Sequence, residues 1–482
     1  MALLNNPTYQ LQPAAEKLAL VTNYITNFNF LNQYLPDTYE KEFERYGNRT
    51  ISSFLRLVGA EMPSNSDQIK WAEQGRLHIK YRVATVTTIN VGNTTATITI
   101  SDANAATAAI RINQTIFIQN NVTGLSVKAI VTATPTPLSI DVAFYDAPAV
   151  VGAAIAATSV CTIFIYGSEF RKGQTGMVGS LEAEDEFFTN KPIILKDKYA
   201  ISGSDMAQIG WVEVTTENGA TGYLWYLKSE HETRLRFEDY LETSMIEAVP
   251  AAANSGALAY LSPAPTTEAG SQGVFYVVEN RGNVWGGGVP TSLADWDTIV
   301  QRLDKQGAIE ENVVFCNRDL SFAIDGMLAG LNGASTTAPG TPSYGASYGL
   351  FDNDVTMALN LGFSGFRRGY DFYKSDWKYL NDPTMRGGLS TAATATGTIT
   401  GLLVPAGSTS VYDQIMGKNA KRPFLHVRYR ATETEDRRYK TWITGSAGGA
   451  QTSDLDAMEV NFLSERCICT LGANNFVLFR FG

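Results

Sequence analysis

The chain has 482 residues, enough for two or three separate cores. A charged share of 18% beside 42 glycines and an aromatic share of 11% describes a globular protein with many turns, not a disordered one. The formal net charge of -10 argues against a protein that coats nucleic acid, because counterion release needs clustered Lys and Arg. Met1 opens on MALLNNPTYQ with no basic stretch and apolar run, which predicts no secretory signal. The longest apolar run, near residues 147–157, is too short to span a bilayer. A soluble protein made in the cytoplasm, without membrane contact, is expected. Cys161, Cys316, Cys467 and Cys469 show no C-x-x-C spacing and lie in apolar strand-like runs, so plain buried thiols are expected and not zinc ligands or disulfides.

Residues 1–62 read as an arm. Leu18, Val21, Ile25 and Phe28 recur at helical spacing, and a second amphipathic piece with Phe43, Tyr46, Phe54 and Leu55 follows Pro36. From Arg76 the pattern turns to alternation, Leu77, Ile79 and Tyr81 against His78, Lys80 and Arg82, so residues 63–83 carry a first strand. Composition then shifts: between 84 and 164 only Asp102, Arg111, Lys128, Asp141 and Asp146 are charged. Alternating runs at 97–100, 116–118, 125–131 and 138–144, separated by turn residues, predict a small all-β sandwich or barrel inserted into a longer hairpin. Residues 167–188 predict the polar tip of an extended β-arm. Residues 191–202 and 209–214 predict two strands able to pair with 76–82.

Residues 223–249 predict one long helix, about 40 Å at 1.5 Å per residue. Leu224, Leu227, Leu235, Leu241, Met245 and Ala248 line one side, while Glu230 with Arg234, Glu232 with Arg236 and Arg234 with Glu238 form i,i+4 pairs on a wet face. Gly219 and Gly222 precede it and Pro250 follows. Beyond it, Ser292 with Asp295 is a capping box opening a helix through Trp296, Ile299, Val300 and Leu303 to a stop at Gly307. A strand at 312–316, a helix at 319–331 and a loose stretch at 333–349 come next. Strands are then predicted near 355–361, 423–430, 439–444, 458–462, 467–471 and 476–479.

No catalytic constellation emerges. His78, His231 and His426 are scattered over three segments, which disfavours histidine chemistry and metal binding. Ser347 sits in a G-x-S-x-G run at 345–349, but in a low-complexity loop without the strand and helix that a nucleophile elbow needs. Glu182, Glu184, Asp185 and Glu186 could form a hydrolytic pair, yet so dense an acidic run is more simply a solvated or salt-bridging surface. Asn48, Asn93, Asn113 and Asn121 begin N-x-[ST] triplets that read as turns. Basic groups gather at Arg367 and Arg368, at Lys418, Lys421 and Arg422, and at Arg437, Arg438 and Lys440. Against an acidic tip these fit subunit-to-subunit ion pairing.

Three runs, FERYGNRTISSFLRLVGAEMPSNSDQIKW from 43, GMVGSLEAEDEFFTNKPIILKDKYAISGSDMAQIGWVEV from 176 and WYLKSEHETRLRFEDYLE from 225, resemble the major capsid proteins of crAss-like phages of gut Bacteroidetes. The element order resembles the HK-97 fold of tailed phages and herpesviruses. That resemblance implies an α+β, HK-97-like fold with an N-terminal arm (1–62), a first strand (63–83), an all-β insertion domain (84–164), an E-loop with return strands (165–215), a spine helix (216–249), and P- and A-domains (250–482). It implies no cofactor and no enzymatic activity. The partners implied are copies of itself in hexamers and pentamers, portal and auxiliary head proteins, and double-stranded DNA enclosed without sequence-specific binding. It also implies residence in the virion shell, after synthesis in the bacterial cytoplasm. Glu182, Glu184, Asp185, Glu186, Arg171, Lys172, Arg367 and Arg368 are the expected inter-subunit contacts. A carbohydrate-binding tail or fibre adhesin using the β insertion is the alternative, and a hydrolase built on Ser347 or the Glu182–Glu186 run is a third possibility.

Overall fold

The computed structural model describes residue 54 and residues 60–76, 80–102, 108–177, 185–206, 214–215, 221–222, 225–261, 269–307, 309–333, 364–389, 396–413, 418–447, 449 and 451–482. Most of the expected arm, the strand near 355–361, His78 and Ser347 lie outside these residues.

Strands β1 (Ala60–Ser64) and β2 (Ile69–Gln74) are followed by β3 (Lys80–Ile89), β4 (Thr95–Ile100), β5 (Gln114–Asn120), β6 (Ser126–Thr136), β7 (Ser139–Phe144), the short helix α1 (Pro148–Ala154) and β8 (Val160–Ser168). Next come β9 (Asp185–Asn190), β10 (Ile193–Ser202), α2 (Gly203–Met206), β11 (Val214–Thr215), β12 (Thr221–Gly222) and the long helix α3 (Trp225–Glu247). Then α4 (Gly256–Leu261), α5 (Val274–Arg281), β13 (Asn283–Trp285), α6 (Leu293–Gln306), β14 (Glu311–Cys316) and α7 (Arg318–Gly333) alternate. The rest runs β15 (Gly365–Arg368), β16 (Tyr370–Asp376), α8 (Lys378–Asn381), β17 (Ile399–Pro405), β18 (Ser408–Asp413), β19 (Lys418–Pro423), β20 (Leu425–Arg430), β21 (Lys440–Gly445), β22 (Ala457–Thr470) and β23 (Val477–Arg480).

The chain divides into two compact units. The smaller draws its described residues from within 199–234 and 443–460. In it Gly203 N donates to Asp456 O at 3.2 Å. At Gly445, with φ +125°, a Cβ would stand 1.9 Å from Ala457 O, so this turn needs glycine.

The larger unit contains three apolar cores. In the first, β3-β4-β7-β6-β5-β8 close into a barrel. Alternation turns Ala84, Val86, Ile98, Ile100, Ile116, Ile118, Val127, Ala129, Val131, Ile140, Val142 and Ile163 inward, and Val151 and Ala154 of α1 pack with them. Closure leaves the barrel no free edge. Its strands span Lys80 to Ser168, a little wider than the expected 84–164.

The other two cores lie on opposite faces of a six-stranded sheet, β13-β23-β17-β14-β16-β15. Phe315, Leu402, Val404 and Leu478 enter one core; their neighbours Val314, Cys316, Leu403, Val477 and Phe479 enter the other. A strand covered on both sides must be apolar throughout, and every residue of β17 is buried. Trp296, Ile299 and Leu303 of α6 with Leu320 and Ile324 of α7 cover one face. Val274, Phe275 and Val278 of α5 with Met245 and Ile246 of α3 cover the other. There Phe54 stacks on Trp377 with centroids 4.5 Å apart and meets Phe315 edge-on at 4.6 Å. The capping box appears as read from sequence: Asp295 N donates to Ser292 Oγ at 3.3 Å, and Gly307 closes α6 with φ +73°.

Four expectations change. Residues 191–202 contain β10, which pairs with β22, while Lys80 and Tyr81 of the expected partner strand lie in β3 and pair with β8. The partner of the ribbon strand β9 is β2. The two strands foreseen at 458–462 and 467–471 are one strand of 14 residues, β22, because the polar Ser464, Glu465 and Arg466 between them are buried and satisfied. Helix α3 buries Phe237, Leu241, Met245 and Ile246, leaving Leu235 half-exposed. Its second side is not simply wet: Glu242 is buried and its Oε1 accepts from Phe54 N at 3.0 Å, while Arg236 reaches Asp197 at 3.0 Å.

Ile118 is fully buried in the barrel. Ile118→Ala should destabilise the protein by about 2–5 kcal/mol, through lost apolar transfer plus a residual cavity, as read from the denaturant midpoint. A change below about 1 kcal/mol would show that the barrel interior relaxes around the deletion.

Candidate interaction surfaces

Two strands, β2 and β9, form an isolated antiparallel ribbon in the register Ile69↔Asn190, Trp71↔Phe188, Glu73↔Glu186 and Gln74↔Asp185. Side chains alternate, so Ile69, Trp71, Glu73, Glu186 and Phe188 share one face, and Lys70, Ala72, Gln74, Asp185 and Phe187 share the other. The second face is open: Phe187 is 60% exposed, with the Lys70 ammonium 4.4 Å from its ring centroid. The barrel strands lie between β2 and β9 in sequence, so the ribbon is the stalk on which the barrel is threaded.

At the root, the amide of buried Asn190 is saturated. Its Nδ2 donates to Ile468 O at 2.6 Å and to Gln272 O at 3.0 Å. Its Oδ1 accepts from Lys191 N, Gln272 N and Ser271 Oγ at 2.8, 2.9 and 3.0 Å. Four of these five bonds tie β9 to β22 and to the chain leading into α5.

The other face is seated by Arg281, the last residue of α5. Its guanidinium lies 4.0 Å from the Phe188 centroid and 5.6 Å from that of Trp71. Glu73 Oε1 accepts from Trp71 Nε1 and from Gly472 N, each at 3.0 Å. Glu73 and Glu186 are cross-strand neighbours of like charge, a destabilising pairing without a counter-ion, and Arg281 is the cation that faces both. Yet both terminal nitrogens of Arg281 are buried without a hydrogen-bond partner, a situation that ordinarily costs about 1–3 kcal/mol per group. Burial lowers the pKa of Arg281, and the two carboxylates oppose that shift.

The barrel wall is two-sided. Along β3, β4 and β7 it is polar, with Thr87 bonded to Thr99 at 2.8 Å and Thr97 to Asp141 at 2.7 Å. Along β5, β8 and β6 it is aromatic: Phe117 and Phe164 have centroids 5.1 Å apart, and Lys128 lies 5.9 Å over Tyr166. Phe164, Tyr166 and nearby Tyr145 are 40%, 48% and 48% exposed, and the Tyr145 hydroxyl donates to Glu169.

The residues singled out from sequence do not form one site. Glu182 and Glu184 lie outside the described residues. Asp185 and Glu186 open β9 and sit on opposite faces of the ribbon. Arg171 and Lys172 occupy a turn after β8, closed by Gln174, whose side chain accepts from Arg171 N at 3.1 Å. Arg367 and Arg368, in β15, are matched within the chain: Arg367 meets Asp371 at 3.1 Å, and Arg368 grips both carboxylate oxygens of Asp297 at 2.7 and 3.1 Å. That grip holds the Asp297 carboxyl below its usual pKa. Arg437 meets Glu465 at 2.6 Å, Arg466 meets Glu61 at 3.1 Å, and Arg438 also pairs with Glu61. The four cysteines are buried free thiols, and His426 is buried. Among the described residues no group of three or more His, Cys, Asp and Glu could hold a metal ion, and no helix is long and apolar enough to cross a membrane.

No protein-family model and no curated protein matches the chain. Among solved structures, it is similar to a chain of Microbacterium phage Oxtober96, with 11% identity, covering 94% of this chain and 98% of that one at a TM-score of 0.39. It is similar also to a chain of Gordonia phage Cozz, with 11% identity over 98% of both chains and a TM-score of 0.39. A third is described as the capsid of a native GTA particle: 8% identity, 94% of this chain and 96% of that one, TM-score 0.38.

Sequence reading missed Trp71, Phe188, Asn190 and Arg281. The alternation of IKWAEQ at 69–74 was a usable signal for the first, but Arg281 is brought to the ribbon only by the tertiary fold. Asn190→Ala would leave several backbone groups unpaired at once and should destabilise by about 2–5 kcal/mol in chemical denaturation. Asn190→Asp keeps the acceptors but sets a carboxylate oxygen against Ile468 O and Gln272 O, so it should destabilise at least as much. A neutral Asn190→Ala would mean that solvent replaces these bonds.

Proposed function

We propose that the chain is a major capsid protein of a tailed, crAss-like phage, an HK-97-like subunit that assembles into hexamers and pentamers around packaged double-stranded DNA. The three residue runs that resemble this family supply the specific expectation, and the ribbon supplies the physical support. A two-stranded ribbon is marginal in water by itself, and this one carries an aromatic side chain on an uncovered face. Lying across another copy of the chain would cover Phe187 and add main-chain partners along an open edge.

On this reading the ribbon with its flanking residues is the E-loop, α3 is the spine helix, and the doubly covered sheet belongs to the P- and A-domains. The barrel is an insertion domain, available to clip neighbours or to receive portal or auxiliary head proteins. Glu182, Glu184, Asp185, Glu186, Arg171 and Lys172 are proposed inter-subunit contacts. Arg367 and Arg368 would serve there only by sharing their present carboxylates. The role is structural and not enzymatic, and its place is the virion shell.

Purified protein viewed by negative-stain electron microscopy should show rings or closed shells. Phe187→Glu should reduce them at least tenfold while the circular dichroism spectrum and melting temperature stay within error of the parent. A chain that stays monomeric under every assembly condition tried would contradict the proposal.

A second reading, a tail or fibre adhesin for carbohydrate, draws on the exposed aromatic wall of Phe117, Phe164 and Tyr166. It requires saccharide binding by the full chain that Tyr166→Ala abolishes; a soluble-glycan screen without a hit would remove it.

A further inference from the structure

Arg281 poses a problem that its own surroundings can solve. Its guanidinium is pressed against Phe188 and Trp71, both terminal nitrogens are buried without acceptors, and two carboxylates stand on the same ribbon face one residue pair further along. Successive same-face pairs on a strand are separated by about 7 Å, two residues of rise, so Trp71–Phe188 and Glu73–Glu186 are adjacent stations for one long side chain. Glu73 already accepts two bonds through Oε1, while among the described residues the Glu186 carboxylate accepts none. A guanidinium offers five donors in a planar fork suited to carboxylate oxygens, and it also stacks well on rings.

We infer that Arg281 gives the ribbon two seats on the body of the larger unit: a stacked seat, with the guanidinium on the Phe188 and Trp71 rings, and a paired seat, with the guanidinium moved onto the Glu73 and Glu186 carboxylates. The first gains ring contact and leaves donors empty. The second fills the donors and neutralises two facing glutamates. Neither satisfies every demand, which is the condition for two states of comparable free energy. Passing between them pivots the distal part of the ribbon relative to the end of α5, about the Asn190 clasp that keeps the root of β9 attached. Arg281 is thus a positioning residue for the limb. The inference stands on this geometry and not on the shell reading, since it concerns the unassembled chain.

Spin labels at Ala72→Cys, on the open face of β2, and Gln301→Cys, on the exposed side of α6, report ribbon position by double electron–electron resonance. The four native cysteines are buried, which favours labelling at the two introduced positions. Two distances are expected in otherwise unaltered protein, with the paired one losing population as ionic strength rises, because screening weakens ion pairing more than stacking. Glu186→Gln should deplete the paired distance at least threefold, and Arg281→Met should leave the stacked one alone. Glu186 is exposed, so its substitution tests the idea even if Arg281→Met fails to fold. A single distance in the parent, or two that are insensitive to salt and to Glu186→Gln, would overturn the inference. Neither result depends on whether the chain forms shells.

Discussion

The constraint on which the larger unit depends is that its central sheet is covered on both sides. Strand β17 has no face left for water, and β14 and β23 send alternate residues into two different cores. Helices must therefore arrive on both faces, and the sheet sets where they lie: α6 and α7 on one, α5 and the end of α3 on the other. Because α5 is fixed by Val274, Phe275 and Val278, its last residue, Arg281, is delivered to the ribbon from a rigid support. Arg281 and the Asn190 clasp are thus what hold the ribbon to the body of the larger unit.

Charge is used inside the body, not only on its surface. Glu247, at the end of α3, accepts from the Tyr379 hydroxyl at 2.7 Å and from Arg386 at 2.6 Å. Glu61 and Glu465 gather four arginines, Arg430, Arg437, Arg438 and Arg466, along β1, β20 and β22. Of these carboxylates Glu465 is the buried one, and its pairing with both Arg430 and Arg437 makes that burial tolerable. Groups that look like a basic surface in sequence are therefore largely committed within the fold.

Local chemistry explains what the sequence made legible. Ser292, Asp295 and Gly307 marked α6 because cap geometry is decided by neighbours a few residues away. The barrel strands were readable because three of the six pairings, β3 with β4, β5 with β6 and β6 with β7, join consecutive strands, and because inward and outward positions alternate cleanly. What failed was non-local. The polar Ser464–Glu465–Arg466 run reads as a break between two strands until Glu61 and Arg437 come from elsewhere to satisfy it. The face of α3 was misjudged because Glu242 is buried for the sake of Phe54, 188 residues away. Trp71 and Phe188 pair across the whole barrel that lies between them in sequence.

That last point bears on how such a chain can be altered. The first and last strands of the barrel are antiparallel neighbours, Lys80 facing Phe164, so the polypeptide leaves close to where it began. The ribbon register, in turn, uses no barrel residue. A module with adjacent ends on a self-paired stem can be exchanged, enlarged or excised down to a tight loop without re-threading the remainder, and lineages sharing the stem are free to carry unrelated cargo at that position.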